Sequence, residues 1–472
     1  MKKTTMIWLI ICTCIGAAFG QQKSNPASAT VSVKPSVGNI DSIWVDDQAK
    51  FSYIKPNAQG YFTLQFKPMF PKIVRIGNKR WQINLYLEAG DDLKVITDFE
   101  KDTKFLGEGA VKAELLYQDD MAYSTYWSKT NIAEITPNQL LKDLRHIGNQ
   151  AIAALNANKQ KLSPAFYVAQ SLNLFYKKVG NELSVPYKLT RYPYTKKISE
   201  AIPDQYWTLG DQVKIDDRLL SNKAYAALMG TNYLNFLTLT ERLAKGTLDS
   251  VPALEAKVRL NYEVAEKYYT GKLRSIVLAE RLDLAFKITQ DIETLKPLVD
   301  KYVANYATAE DAKWALKTYH NYLKTSIGKT PPPFKLKNLE GKEVTLKDFI
   351  GKVVYMDFWA SWCGPCRFEM QNFSAKLHAK FKDNKNLVFL YVSIDDRADL
   401  WKKAIADDKI EGVHVLSAGG FKSQVANAFN LTGVPHYIII GKNGKILDNN
   451  ATRPSQDITV TKLREALNAK ED

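Results

Sequence analysis

The run from Val353 to Trp359 is apolar except for Asp357, and Ala360-Ser361-Trp362-Cys363-Gly364-Pro365-Cys366 follows it directly, with a helical pattern continuing to about Phe381. This order constrains the fold more than any other feature of the chain. A continuous apolar run suits a strand buried on both faces of a sheet, which helices must then cover. Neighbouring segments supply the rest of an α/β layer. Phe334 to Leu346 predicts a hairpin turning at Glu340-Gly341-Lys342. Leu387 to Ile394 predicts a second buried strand, and Tyr437 to Ile440 a third, just after Val434-Pro435. A turn at Lys442-Asn443-Gly444-Lys445 leads to a fourth strand, and Ile458 to Asn468 reads as a closing helix.

Cys363 and Cys366 are two of the chain's 4 cysteines; the others, Cys12 and Cys14, lie near its start. A pair two residues apart closes so small a loop that it constrains little unfolded-chain entropy, which points to chemistry over stability. At a strand–helix junction the first sulfur lies over unpaired backbone N–H groups. The helix dipole there favours the thiolate, which makes Cys363 the expected nucleophile and Cys366 the resolving thiol. A structural zinc site wants four ligands. With no second CxxC and only 5 scattered histidines, neither a metal nor a cofactor is expected.

The start of the chain reads as a secretory signal peptide over 1–20. Lys2 and Lys3 precede an apolar stretch from Met6 to Ile15, and Ala18 and Gly20 are small enough for cleavage after Gly20. The apolar stretch is shorter than the ~20 residues of a spanning helix. Neither Cys12 nor Cys14 follows a small-residue lipidation box, so cleavage is expected in place of a lipid anchor. The formal charge of +15 would raise nucleic-acid binding in a cytosolic protein. Here the export signal and the scatter of the lysines argue for a solvated basic surface and no nucleic-acid partner.

Composition and period divide the remainder. Residues 21–109 read as an N-terminal all-β domain, a small antiparallel sandwich or sheet, with Phe62, Leu64 and Phe66 alternating and Ile73 to Leu87 forming a hairpin about Gly77-Asn78. Residues 110–327 read as a central all-α region, with Val258, Tyr262, Ala265 and Tyr269 on one helix face. Pro331-Pro332-Pro333 marks a linker over 328–334, ahead of the α/β domain at 335–472. The whole is therefore expected to be multidomain.

The C-terminal segment resembles thioredoxin, and is most similar to the exported TlpA/ResA-type thiol-disulfide oxidoreductases. The resemblance rests on the strand, the tryptophans, CGPC, the helix and the later Val434-Pro435, in that order. The lead-in from Pro333-Phe334 to Gly351-Lys352-Val353-Val354 is shared with that group and with peroxiredoxins. Residues 21–109 resemble a β domain of unknown function found ahead of such domains, on Gly60-Tyr61-Phe62, Leu87-Glu88-Ala89-Gly90-Asp91 and Phe105 to Gly109.

The C-terminal resemblance implies a C-terminal α/β thioredoxin fold and assigns roles residue by residue. Asp357 matches the buried acid that moves protons at the resolving cysteine. Pro435 matches the cis-proline beside the disulfide, and Val434 offers its backbone to a client peptide. Trp362, Gly364 and Pro365 flank the site as substrate contacts. Two departures stand out. Tyr391 occupies the position of thioredoxin's lysine partner to the acid, and the proline that usually kinks the helix after CxxC is absent. The stretch from Asp395 to Pro435 is also longer than in thioredoxin.

The expectation is an exported, periplasmic or otherwise extracytoplasmic, oxidoreductase working as a reductase. Its partners would be oxidised exported proteins, an apocytochrome c among the candidates, and a membrane-bound electron donor. The alternatives are a partner-binding envelope protein with a thioredoxin effector domain, and a thiol peroxidase. The last is opposed by Ala360, where peroxiredoxins place a threonine.

Overall fold

The computed structural model describes residues 28–36, 40–67, 71–78, 81–100, 102–191 and 197–469. The expected signal peptide at 1–20 lies outside them. Contacts divide the chain into two units, Met1–Ser250 and Val251–Asp472.

The first unit begins with eight strands: β1 (Ala29–Pro35), β2 (Ile43–Asp46), β3 (Phe51–Ile54), β4 (Phe62–Phe66), β5 (Lys72–Gly77), β6 (Gln82–Leu87), β7 (Asp92–Thr97) and β8 (Thr103–Gly107). They form two four-stranded sheets, ordered β4-β1-β7-β8 and β3-β2-β5-β6. Alternating residues such as Val31, Phe62 and Val95 from one sheet share a core with Val45, Ile76 and Leu85 from the other. The Ile73–Leu87 hairpin is present as β5 and β6 in antiparallel register. One pairing differs from the antiparallel expectation, because β1 runs parallel to β7. The chain enters the second sheet between them and returns in the same direction.

Helices α1 (Ala110–Lys129), α2 (Pro137–Ala157), α3 (Pro164–Leu183), α4 (Val185–Thr190), α5 (Lys223–Ala227) and α6 (Leu234–Ala244) follow. Thr136 and Ser163 cap α2 and α3 through their side chains, each ahead of a proline at the helix start.

The second unit opens with α7 (Leu254–Tyr268), α8 (Gly271–Ile288), α9 (Lys296–Asn305) and α10 (Ala309–Leu323). It then builds a seven-stranded sheet from β9 (Leu336–Asn338), β10 (Glu343–Val344), β11 (Val353–Trp359), β12 (Leu387–Ser393), β13 (Val413–Leu416), β14 (His436–Ile440) and β15 (Ile446–Asp448). Their order is β10-β9-β13-β12-β11-β14-β15. Every residue of β11 is buried, as its apolar run predicts. Helices α11 (Gly364–Glu369), α12 (Ala375–Ala379), α13 (Ala398–Asp408), α14 (Gln424–Ala428) and α15 (Ile458–Asn468) complete the unit.

The helical stretch expected at 110–327 is thus shared between the units, and the proline segment at 328–334 lies inside the second. The physical reason is local. Gly328 N–H donates to the carbonyl of Ile446 (2.8 Å), and Ile446 N–H donates to the carbonyl of Lys329 (2.9 Å). Phe334 is buried in the core of the sheet. The prolines extend the chain, but they carry it from β15 at one side of the sheet to β9 near the other, and not away from it.

Candidate active site

Strand β11 delivers the chain to the site, and a buried acid fixes how it leaves. Asp395, past the end of β12, accepts the backbone N–H of Ser361 (2.9 Å) and its hydroxyl (2.6 Å), together with the hydroxyl of Ser393 (2.7 Å). Cys363 N–H donates to the carbonyl of Ala360 (3.0 Å), and Cys363 then stands as the N-cap of α11. Its Sγ accepts the N–H of Cys366 at 3.2 Å. The two cysteines form a disulfide with their Cα atoms 5.3 Å apart. Cys366 is fully buried and Cys363 is 4% exposed.

The surroundings of the pair are open on one side. Gly364 and Pro365 are exposed, and a Cβ built on Gly364 would meet nothing within 4 Å. Trp362 is 55% exposed, its ring centroid 6.0 Å from that of Phe421, which lies in the long stretch before Pro435. The Val434–Pro435 bond is cis. Val434 packs against the core cluster that holds both cysteines.

Asp357 is buried on β11, with Tyr391 and Tyr437 as its cross-strand neighbours on β12 and β14. Neither carboxyl oxygen has a hydrogen-bond partner. Burial drives its pKa well above the ordinary carboxyl value, and the charge of Glu369 adds to the shift. Tyr391, in the place of thioredoxin's lysine, brings no cation; its hydroxyl meets His378 Nε2 at 3.0 Å. Burial pushes the His378 pKa down to about 4, so that ring is also neutral at pH 7.

A profile of the family described as Redoxin matches residues 326–467. The thiol-disulfide oxidoreductase ResA of Bacillus thuringiensis subsp. konkukian is 31% identical over 124 residues, covering 26% of this chain and 69% of that protein. The chain belongs to the thiol-disulfide oxidoreductases. The thioredoxin-like protein YneN of Bacillus subtilis is 30% identical over 134 residues, 28% of this chain and 76% of its own length. Among solved structures, the thioredoxin domain of a Bacteroides vulgatus thiol-disulfide oxidoreductase is 33% identical and covers 30% of this chain and 99% of its own, with a TM-score of 0.28.

Three features of this oxidoreductase are not anticipated from its sequence. Glu369 is buried, and its carboxylate accepts both the N–H (3.0 Å) and the hydroxyl (2.8 Å) of Ser455. Its signal was the spacing: three residues after Cys366 on one helix, it shares the inward face of that cysteine. Arg367 makes a bidentate pair with Asp408 at 2.6 Å for each bond, tying α13 to α11. Where the kinking proline is absent, a π-helical turn at Met370–Ser374 separates α11 from α12. Among the described residues no cluster of three or more His, Cys, Asp or Glu could hold a metal ion.

Proposed function

We propose that this oxidoreductase is an exported protein-disulfide reductase that works through the Cys363–Cys366 couple. In the reduced enzyme the Cys363 thiolate attacks one sulfur of a client disulfide and expels the other as a thiolate. Cys366 then attacks the Cys363 sulfur of the mixed disulfide, releasing the client's second thiol. The client gains two electrons and two protons, and the enzyme is left as the disulfide present in this structure. Asp357, its pKa raised by burial, passes a proton at Cys366; its unpartnered carboxyl supports this role. Gly364, Pro365 and Trp362 form the contact surface, and the backbone of Val434 beside Pro435 pairs with an extended client segment.

The observation that carries the reading is the cysteine pair at the head of α11, nearly buried yet bordered by exposed Gly364, Pro365 and Trp362. Such a pair accepts a polypeptide from one side only. The signal-like start of the chain favours a periplasmic or other extracytoplasmic setting. Reduction there requires a membrane-bound electron donor, and an apocytochrome c is a fitting client.

Equilibration of the couple with glutathione or dithiothreitol buffers tests the direction. A potential near the −270 mV of thioredoxin supports a reductase, and one near the −120 mV of a strong oxidant overturns that direction. A Cys366→Ala variant should accumulate mixed disulfides with clients. Equal recovery of partners by Cys363→Ala would favour docking over exchange.

A further inference from the structure

Helices α8 and α10 are more than a lead-in to the redox domain. Together with the loop 429–436 they enclose a cavity of about 290 Å³ that runs up to Val434 and Pro435. The wall is fastened on both sides of the cis-proline. Asn430 donates its side-chain N–H to the carbonyl of Asn321 (3.1 Å). Asn449 donates to the carbonyls of Thr325 (2.9 Å) and Gln290 (3.1 Å), and Gln290 donates in turn to Asp448 (2.9 Å). These bonds order the helical wall relative to the loop that borders the disulfide. A segment lying along Val434 would therefore meet a preformed surface.

The lining has a definite chemistry. Phe286 and Tyr322 stack with ring centroids 5.9 Å apart and give the cavity an aromatic side. Its charged members are Lys287 and Arg453, and no Asp or Glu lines it. Lys287 shares its charge with Asp283, one turn earlier on α8, at 2.5 Å. Arg453 is exposed and has no ion-pair partner among the described residues. His436, pushed down to about 4 by burial, adds no charge at neutral pH. A free guanidinium beside an aromatic wall recognises a carboxylate. Without Lys2 and Lys3 of the expected signal peptide the formal charge of +15 falls to +13, still a net attraction for anionic partners.

We propose that this cavity is a client subsite that receives an acidic side chain, carried by the extended client segment that pairs along Val434. The inference rests on the disulfide-exchange reading above and adds to it a source of client choice. The upstream helices select and the cysteines react.

The test compares three peptide disulfides identical but for Glu, Gln or Lys near the cysteine, with a small uncharged disulfide as reference. The full-length reduced protein is used at low ionic strength. The Glu peptide should react about fivefold faster than the Gln peptide, the ratio one partly exposed ion pair supports. The Lys peptide should be slower still, and added salt should compress the series. Arg453→Gln should bring the Glu and Gln peptides together, and Arg453→Glu should invert the order, both leaving the small-disulfide rate unchanged. Equal rates for all three peptides, or a Glu preference that survives Arg453→Gln, would overturn the subsite while leaving exchange intact. A wild-type protein inert even to the small disulfide would overturn the exchange reading itself, and the subsite with it.

Discussion

In the first unit Lys112, itself buried, donates to Asp91 (2.9 Å) and Glu88 (2.6 Å). Glu182, fully buried on α3, lies 3.3 Å from Arg145 and 3.5 Å from Lys178. In the second unit Asp357 is as deeply buried and has neither a cation nor a hydrogen bond. A paired buried charge holds elements in register, because removing either partner strands the other. An unpaired one stabilises nothing, so its presence calls for a chemical reason. Two carboxyl groups of similar burial thus belong to different levels of organisation, and the partner list separates them.

The contrast can be broken from either side. Lys112→Met would leave Asp91 buried without its cation, and should destabilise the sandwich and α1 by about 3–5 kcal/mol. Hydrogen exchange localised to β7 and α1 reads this, and an unchanged protection pattern would remove the structural role assigned to the pair. Asp357→Asn should act in the opposite direction on stability. Its folded pKa lies above the ordinary 3.8, so the favourable protonated state is fully present below that value and its stability is lost as pH rises through the folded pKa. The variant should therefore melt higher than wild type at neutral pH and lose that advantage towards pH 4. It should also slow resolution of the mixed disulfide by about 10²-fold, the lower range for loss of a positioned acid or base. A variant stabilised but unimpaired in resolution would sink the proton-transfer role.

Histidines sharpen the same comparison. Desolvation lowers buried His414 and half-buried His378 to about 4 in the folded protein, so both rings are neutral at pH 7. Their contribution is fully present above the ordinary 6.5 and is lost as pH falls towards 4, the reverse of Asp357. Each group can tilt stability by at most about 1.4 kcal/mol per pH unit in that window. His414→Asn should flatten the acid limb of the second unit's melting profile, whereas Asp357→Asn should steepen it by removing the opposing trend. An unaltered acid limb in both variants would show that neither group is titrating.

How far these features were legible depended on whether they are local. Strand β11 and helix α15 have the bounds their periodicity predicts, because a seven-residue run apolar at all but one position and a clean amphipathic repeat need no distant partner to be read. Asp357 was visible as the single acid in that run. Glu369 had only its spacing from Cys366 to mark it, and a charged residue in a helix otherwise reads as a solvent-facing one. The parallel pairing of β1 with β7 joins residues some sixty positions apart, and nothing in either strand announces it. The grouping of α7–α10 with the C-terminal sheet was hidden for the same reason. It depends on Asn430, Asn449 and Gln290, polar residues that look like ordinary loop positions until their partners are known.

Exposed aromatics repeat the contrast at lower energy. In the first unit exposed Phe51 stacks on half-buried Trp44 at 5.9 Å and meets exposed Tyr53 edge-on at 5.5 Å, on β2 and edge strand β3. In the second unit Trp362 and Phe421 stand beside the disulfide. Truncating an exposed ring removes little buried surface, so Trp362→Ala should alter stability by no more than about 0.5 kcal/mol. Its effect belongs to the encounter with a client: a severalfold rise in KM for a protein disulfide, with kcat and the rate towards a small disulfide retained. Tyr53→Ala is the matched control, since it removes a comparably exposed ring without touching the cysteines. If both variants raised KM equally, the ring beside the disulfide would have no special part in docking. If Trp362→Ala alone did so, the open side of the cysteine pair is where the client lands.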